Sequence, residues 1–254
     1  MVEKVVFRPV QRDLDQLHRS VHGRDADAFI LDWVSQADAI VQFAVPAFEY
    51  PRPDALVPLR FAGPITQPSN TDLPAWWPDL DAARQVVLVT QGTIANTDLV
   101  DLVRPTLQAL ADEDVLIVVA TGGHPVAQMG DLPANVRAAE FLPYDLLFPR
   151  LAAMVTNGGY GGVQYALAHG VPLVVAGGTE DKPEVAARVA WSGTGINLRT
   201  GRPTPRAVRR AVRRVLTISE YRVAAAGVAA QINAARGVDE LIDAISSLPS
   251  GTSI

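Results

Sequence analysis

From residue 85 onward the chain alternates between short, wholly apolar runs and longer segments whose apolar residues recur every three or four positions. Val86 to Thr90, Val115 to Ala120, Val136 to Phe141, Ala153 to Thr156, Pro172 to Ala176 and Ile196 to Leu198 belong to the first kind and predict strands. Thr97 to Ala111, Tyr144 to Arg150, 160 to 169 and Pro183 to Trp191 belong to the second and predict helices, and a helical pattern runs from Thr204 to about Ser247. Strands this apolar need cover on both faces, so the pattern predicts an α/β fold with a parallel sheet between layers of helices. Upstream the signal is weaker: two short helical patterns in residues 10 to 35, a strand at Ala39 to Val45, and another at Val57 to Ala62 after the segment AFEYPRPDALVP. Gly63 to Asp81 holds four prolines and two tryptophans with little periodicity, the composition of a linker. Trp76 and Trp77 there either pack the linker against a neighbouring domain or stack on a ligand. No repeat of solenoid length is visible.

Composition narrows the class. A chain of 254 residues with 48% hydrophobic and 19% charged residues can bury a sizeable core in one large domain or two small ones. The net charge of -5 argues against a nucleic-acid partner, which generally requires a basic face. There is no cysteine, which excludes disulfides and thiolate chemistry and leaves the compartment open. The start, MVEKVVFRPVQRDLDQL, lacks the apolar core of a signal peptide, and no run approaches the ~20 residues of a membrane span. A cytoplasmic location without a transmembrane segment is expected. Arg206, Arg209, Arg210, Arg213 and Arg214 share one helical face opposite Val208, Val212, Val215 and Leu216; this is a solvated face or a surface for anionic lipid or a partner.

One stretch concentrates chemistry. Asn157 to Pro172 reads NGGYGGVQYALAHGVP, with a strand ahead of it and a helical pattern behind Gly162. A strand-to-helix bend leaves first-turn N–H groups unpaired with a partial positive charge behind them, and Gly158, Gly159, Gly161 and Gly162 carry no side chain to keep a phosphate or pyrophosphate away. Glycines at such a bend serve close packing equally well, so composition alone leaves both roles open.

The longer run NGGYGGVQYALAHGVPLVVAGGTEDKPEVAARV, Asn157 to Val189, resembles the donor-site signature HGGxGTxxEALxxGVPxVVxPxxxDQPxNAxRV of GT-B glycosyltransferases, in particular the bacterial relatives of the UDP-glucuronosyltransferase and macrolide glycosyltransferase group. The spacing agrees throughout, as do Gly158, Gly159, Gly161, Ala166, Leu167, Gly170, Val171, Pro172, Asp181, Pro183, Ala186, Arg188 and Val189. AIVQFAVPAFEYPRPDALVPLRFAGP is similar to the end of the family's N-terminal domain and its crossover. The resemblance implies a Rossmann-like C-terminal donor domain at 85–254, a linker at 65–84, and a short αβ remnant of the acceptor domain at 1–64. The closing pattern Val238 to Ile245 resembles a helix that crosses back to the first domain.

By the same resemblance Gly92 and Thr93 approach the diphosphate, the backbone near Leu142 meets the base, and Asn157 with the amides of Gly158, Gly159, Gly161 and Gly162 holds the phosphates. Gln164 or Tyr165 lies near the ribose, and Asp181 with Lys182 near the sugar hydroxyls. Thr93 as a turn hydroxyl and Asp181 as a helix cap are the plainer alternatives. Three positions depart from the signature: Asn157 stands for histidine, Tyr165 for glutamate and Lys182 for glutamine. Lys182 either pairs with Glu180 or Glu184 or receives an acidic donor.

The resemblance implies inverting transfer of a hexose from a UDP-sugar or dTDP-sugar to a small-molecule or lipid hydroxyl, with no cofactor and no metal. The family's general base is a histidine early in the N-terminal domain. His18, His22, His124 and His169 fall in no matching motif; His169 closes a helix, where a cation is favoured. No catalytic base is therefore assigned. The alternative is a non-catalytic nucleotide-sugar-binding module, or one subunit of a bipartite transferase that needs an acceptor-domain partner or another copy. A dinucleotide dehydrogenase is disfavoured because QGTIAN lacks the GxGxxG fingerprint.

Overall fold

The computed structural model describes residues 5–53, 55, 57–65, 71–81, 85–93 and 98–248. In chain order the first elements are helix α1 (Arg8–His22), strands β1 (Ile40–Gln42), β2 (Leu59–Phe61) and β3 (Gln85–Thr90), helix α2 (Val103–Leu110), and strands β4 (Val115–Ala120) and β5 (Val136–Ala139). There follow α3 (Tyr144–Leu147), β6 (Leu151–Thr156), α4 (Tyr160–Ala168), β7 (Leu173–Val175), α5 (Lys182–Trp191) and β8 (Gly195–Asn197). Helices α6 (Pro205–Thr217), α7 (Ser219–Ala234) and α8 (Val238–Ser246) complete the chain.

Two compact units are distinguished, neither continuous in sequence: Phe43–Pro51 with Ala62–Gly237, and the described parts of Met1–Gln42, Arg52–Phe61 and Val238–Ile254. This division differs from continuous boundaries at 64 and 85. Residues 43–51 and 62–64 go with the larger unit, and α8 with the smaller one. Residues 66–70 and 82–84 of the expected linker lie outside the described residues.

In the smaller unit β1 and β2 pair in parallel, Ile40 opposite Leu59 and Gln42 opposite Phe61, with α8 beside them. Arg60 Nη1 meets Glu240 Oε1 at 3.5 Å. No helix among the described residues is long and apolar enough to cross a membrane.

The larger unit is built on six parallel strands in the order β5-β4-β3-β6-β7-β8. Because side chains alternate across a strand, β3 points Val86 and Leu88 into one core and Val87 and Val89 into the other. Val163, Ala166 and Leu167 of α4, Val185 and Val189 of α5, and Val228 of α7 cover the first face. Leu110 and Val103 of α2 and Val208, Val212 and Val215 of α6 cover the second. The α/β sandwich predicted from the apolar runs is the observed architecture.

Two local differences have clear causes. The helix expected from Thr97 begins at Val103; Thr97 itself lies outside the described residues. Its cap is a long-range one, since Gln91 Oε1 in the loop after β3 accepts from the N–H groups of Leu102 at 2.9 Å and Val103 at 3.0 Å. Helical periodicity from Thr204 to Ser247 is broken into three helices, with Ile218 extended between α6 and α7 and Gly237 at φ 60° before α8.

The tryptophans pack rather than face a ligand. Trp76 Nε1 donates to Ala138 O at 3.0 Å and Trp77 is buried in the first core. Asp79 pairs with Arg137 Nε at 2.5 Å, which fixes the short 3-10 turn Trp77–Asp81 against β5.

Candidate functional site

Strand order reverses direction about the β3–β6 pair, so loops leaving the carboxyl ends of these strands splay to opposite faces and open a crevice between them. A cleft of ≈ 330 Å³ occupies that place. Thr90, Gly92 and Thr93 line it from the end of β3, Gly122 from the end of β4, and Glu140, Phe141 and Leu142 from the end of β5. Thr156 and Asn157 complete it from β6, and Gly159, Gly162 and Tyr165 from the start of α4.

The glycines at the bend divide by role. Gly158 has φ 89°, and a Cβ there would stand 2.7 Å from Val175 Cγ1, a fully buried strand side chain. Gly158 is thus required by packing and by backbone conformation. Gly159, by contrast, has an ordinary φ of -57°, and the nearest heavy atom to a Cβ there is Asn157 Oδ1 at 3.8 Å. It faces the cleft. Val163 N makes the first helical bond, to Gly159 O at 3.1 Å, so Gly161 and Gly162 precede the first intrahelical donor. Both roles left open by the sequence are present, on different residues.

Asn157 braces the bend. Its Nδ2 donates to Gln91 O, tying the β6 loop to the β3 loop, while Oδ1 accepts from Gly159 N at 3.3 Å. A neutral amide therefore does structural work at the position where the signature has histidine, with one Nδ2 hydrogen left over.

Behind Tyr165 lies an aromatic stack. Its ring sits 5.7 Å from His169 and 5.2 Å from Phe148, and Tyr144 packs edge-on against Phe148 at 5.0 Å. Burial raises the Tyr144 pKa, opposed by its hydrogen bond with Thr90. Burial, reinforced by the charge of Asp145, raises that of Tyr165. Burial lowers the His169 pKa, partly offset by Asp145. The helix end that would favour an imidazolium is outweighed here by aromatic surroundings that disfavour one.

The remaining expected residues are distributed over neighbouring features. Lys182 lies in a second cavity of ≈ 400 Å³ with Gln91, Gly178, Thr179 and Thr200; Asn157 belongs to the linings of both this cavity and the cleft. The Lys182 side chain is 9% exposed and its Nζ pairs with Glu180, one of the two partners the sequence offered. Asp181 occupies the cap position of α5 but makes no side-chain cap bond, and its carboxylate is exposed. Gln164 is absent from the cleft and lines a third cavity together with Gly161 and Tyr165. Residues three apart on a helix share a face, which puts Gly162 with Tyr165 and Gly161 with Gln164 on adjacent faces of α4.

Sequence reasoning missed Thr71, Glu140, Phe141 and Tyr144 in the cleft. Phe141 ends the β5 run and is half exposed, an aromatic at a strand's carboxyl end, which was a usable signal. Thr71 comes from the proline-rich segment, and nothing in its surroundings in sequence marks it. His124 lines a separate small cavity with Asp98 and Gln128. No histidine lines the cleft among the described residues.

Arg188, shared with the signature, serves the fold. Its Nε meets Glu49 Oε2 at 2.8 Å, Glu49 is 3% exposed, and the guanidinium lies 4.8 Å from the Tyr50 ring. The FEYPR segment is thereby fastened to α5.

Comparison with known proteins follows this geometry. Residues 104–248 match the family model described as erythromycin biosynthesis protein CIII-like, C-terminal domain. The chain is 47% identical over 251 residues to 4'-demethylrebeccamycin synthase of Lentzea aerocolonigenes, covering 98% of this chain and 59% of that protein. It is 35% identical over 261 residues to UDP-glucosyltransferase B1 of Starmerella bombicola, covering 98% and 60%. Among solved structures, the calicheamicin glycosyltransferase CalG4 aligns with a TM-score of 0.74 at 26% identity over 94% of this chain and 60% of that one. The glycosyltransferase VinC in complex with dTDP aligns at 0.66 with 28% identity, over 92% and 57%. The chain spans about three fifths of the length of the curated relatives it matches.

Proposed function

Because the chain belongs to the erythromycin biosynthesis protein CIII-like family through its C-terminal domain, we propose that its larger unit binds a nucleoside diphosphate sugar and presents the anomeric carbon to an acceptor hydroxyl. The observation that carries this reading is the open bend at Gly159 to Gly162, which sits at the switch point of a parallel sheet beside Gly92 and Thr93. The base would lie toward Leu142 and Phe141, the ribose toward Tyr165, the diphosphate at Gly159, Gly162 and Thr93, and the hexose in the cavity bounded by Asn157 and Lys182. UDP and dTDP are the donor nucleotides to test first, since one relative is named a UDP-glucosyltransferase and one structural neighbour holds dTDP.

As the glycosidic bond breaks, negative charge grows on the departing diphosphate. Fixed N–H donors at the α4 bend stabilise that charge without reorganising, and one such donor contributes about 3 kcal/mol in comparable oxyanion sites. The acceptor attacks from the face opposite the leaving group, which inverts the anomeric configuration. No cofactor enters this scheme.

A second reading is favoured by one observation. The cleft has no histidine among its described lining residues, and His169 is held in an aromatic stack. The base that deprotonates the acceptor would then come from another polypeptide or copy, and the chain by itself would bind donor without turnover.

Titration of the purified chain with UDP and dTDP, followed by backbone amide NMR, tests the first reading. Shifts are expected at Gly92, Gly159 and Gly162. Millimolar nucleotide without such shifts would refute donor binding. A UDP-release assay with UDP-glucose, run with the chain alone, separates transfer from binding.

A further inference from the structure

Gln164 is the most unusual side chain in the larger unit. It is 2% exposed, and neither its Nε2 nor its Oε1 has a hydrogen-bond partner. An amide buried without partners costs on the order of 2 kcal/mol or more, so proteins rarely tolerate one without a compensating ligand or water. Its neighbours one and two positions on, Tyr165 and Ala166, and Val163 before it, are accounted for by the cleft or the core. Gln164 is accounted for by neither.

It lines a cavity of ≈ 400 Å³ with Phe43, Pro64, Ile65, Tyr160 and Tyr165. The volume falls within the ~300–1,000 Å³ range of small-molecule sites, and such sites are mostly apolar with a few placed polar groups. Phe43 is 39% exposed and Ile65 53%, so the mouth is open to solvent. Tyr160 Oη meets Phe43 O at 3.5 Å across it. Tyr165 lies in the linings of both this cavity and the cleft, so an occupant would stand next to whatever fills the cleft.

We propose that this cavity receives the acceptor: a flat, largely apolar ring system whose hydroxyl or carbonyl group pairs with the Gln164 amide. The inference rests on the donor-binding reading above. Three aromatic rings, a proline and an isoleucine offer stacking and apolar contact, and one amide offers both a donor and an acceptor. A ribose fits less well. Its hydroxyls, spread around a small ring, would face mainly apolar walls, and burying a hydroxyl unpaired is unfavourable.

The probes are 2-naphthol, and naphthalene as its counterpart without the hydroxyl, titrated into the full chain with and without UDP. Side-chain amide NMR reads Gln164 directly, and calorimetry gives affinities. The Gln164 side-chain resonances should shift with 2-naphthol. In Gln164→Leu the 2-naphthol affinity should fall about three- to ten-fold, the range expected for one hydrogen bond, while naphthalene binds at least as tightly as to the parent chain. Tyr160→Ala should weaken both probes.

Equal responses of the two probes to Gln164→Leu would overturn the proposal. So would a Gln164 amide that shifts with UDP and ignores 2-naphthol, since that assigns it to the ribose. Backbone shifts at Gly159 with UDP, recorded in the same samples, separate the two failures. Intact UDP shifts without a 2-naphthol response remove the acceptor cavity alone, whereas a chain silent to UDP removes the donor reading and the acceptor assignment with it.

Discussion

Two adjacent glycines should fail in opposite ways when each gains a methyl group. At Gly158 the backbone has φ 89°, and the new Cβ would lie 2.7 Å from Val175 Cγ1 and 3.4 Å from Lys182 O. Left-handed backbone with a side chain costs about 1–2 kcal/mol. Forcing a methyl against a packed strand side chain adds about 1–3 kcal/mol, because Val175 is fully buried and has nowhere to move. Gly158→Ala should therefore lose roughly 3 kcal/mol, which for a chain of this size lowers Tm by about 6–12 °C. At Gly159 the φ of -57° suits alanine and the nearest atom is 3.8 Å away. Exchanging glycine for alanine at a cap position changes stability by less than about 1 kcal/mol. The methyl instead occupies the cleft where the diphosphate is proposed to sit, and UDP affinity should fall at least about ten-fold, equivalent to ~1.4 kcal/mol. Thermal melts and calorimetric UDP titrations on both variants provide the test. A Gly158→Ala protein melting within about 2 °C of the parent would refute the packing argument, taking the conversion of stability to Tm as given. A Gly159→Ala protein that binds UDP like the parent would show that the bend does not hold the anion.

Other expectations concern the surrounding framework. Glu49→Ala leaves Arg188 without its buried partner and should cost about 3 kcal/mol by urea denaturation; a loss below about 1 kcal/mol would mean that Glu184 replaces it. Lys182→Gln should raise the ratio of the UDP-glucose to the UDP dissociation constant by about three- to ten-fold, the scale of one hydrogen bond, whereas an unchanged ratio places Lys182 away from the hexose. His169 gives a pH dependence. Burial holds its folded pKa below the ordinary value of 6.5, so as pH falls through that value the unfolded chain takes up a proton before the folded chain does. Stability should drop over that window and level off below the folded pKa. Urea midpoints at about pH 7.5 and about pH 5 should draw closer together in His169→Phe; an identical dependence would show that this group is not responsible.

The amino-acid pattern alone determined the strands and helices of the larger unit, their parallel arrangement, and the glycine bend at the end of β6. These are properties of consecutive residues: wholly apolar runs of strand length, three-to-four-residue spacing, and glycines between a strand and a helix. The family signature likewise lies in one continuous stretch, from Asn157 to Val189. It placed Gly92, Thr93, Leu142, Asn157, Gly159, Gly162 and Tyr165 around one cleft before any coordinates were in hand.

What only the tertiary structure decided depends on where the chain returns to itself. Gln91 caps a helix that begins twelve residues later, Glu49 pairs with Arg188 139 positions away, and α8 goes with β1 and β2. No local pattern encodes such partners, because each is chosen by the strand order and by which helix face meets which strand. The same holds for neighbouring residues of α4. Sequence gave Gln164 and Tyr165 as alternatives for one role, and a rotation of about 100° per residue sends them toward different cavities. The division of labour between Gly158 and Gly159 is of this kind too, since it turns on whether Val175 or open space lies beyond the α-carbon.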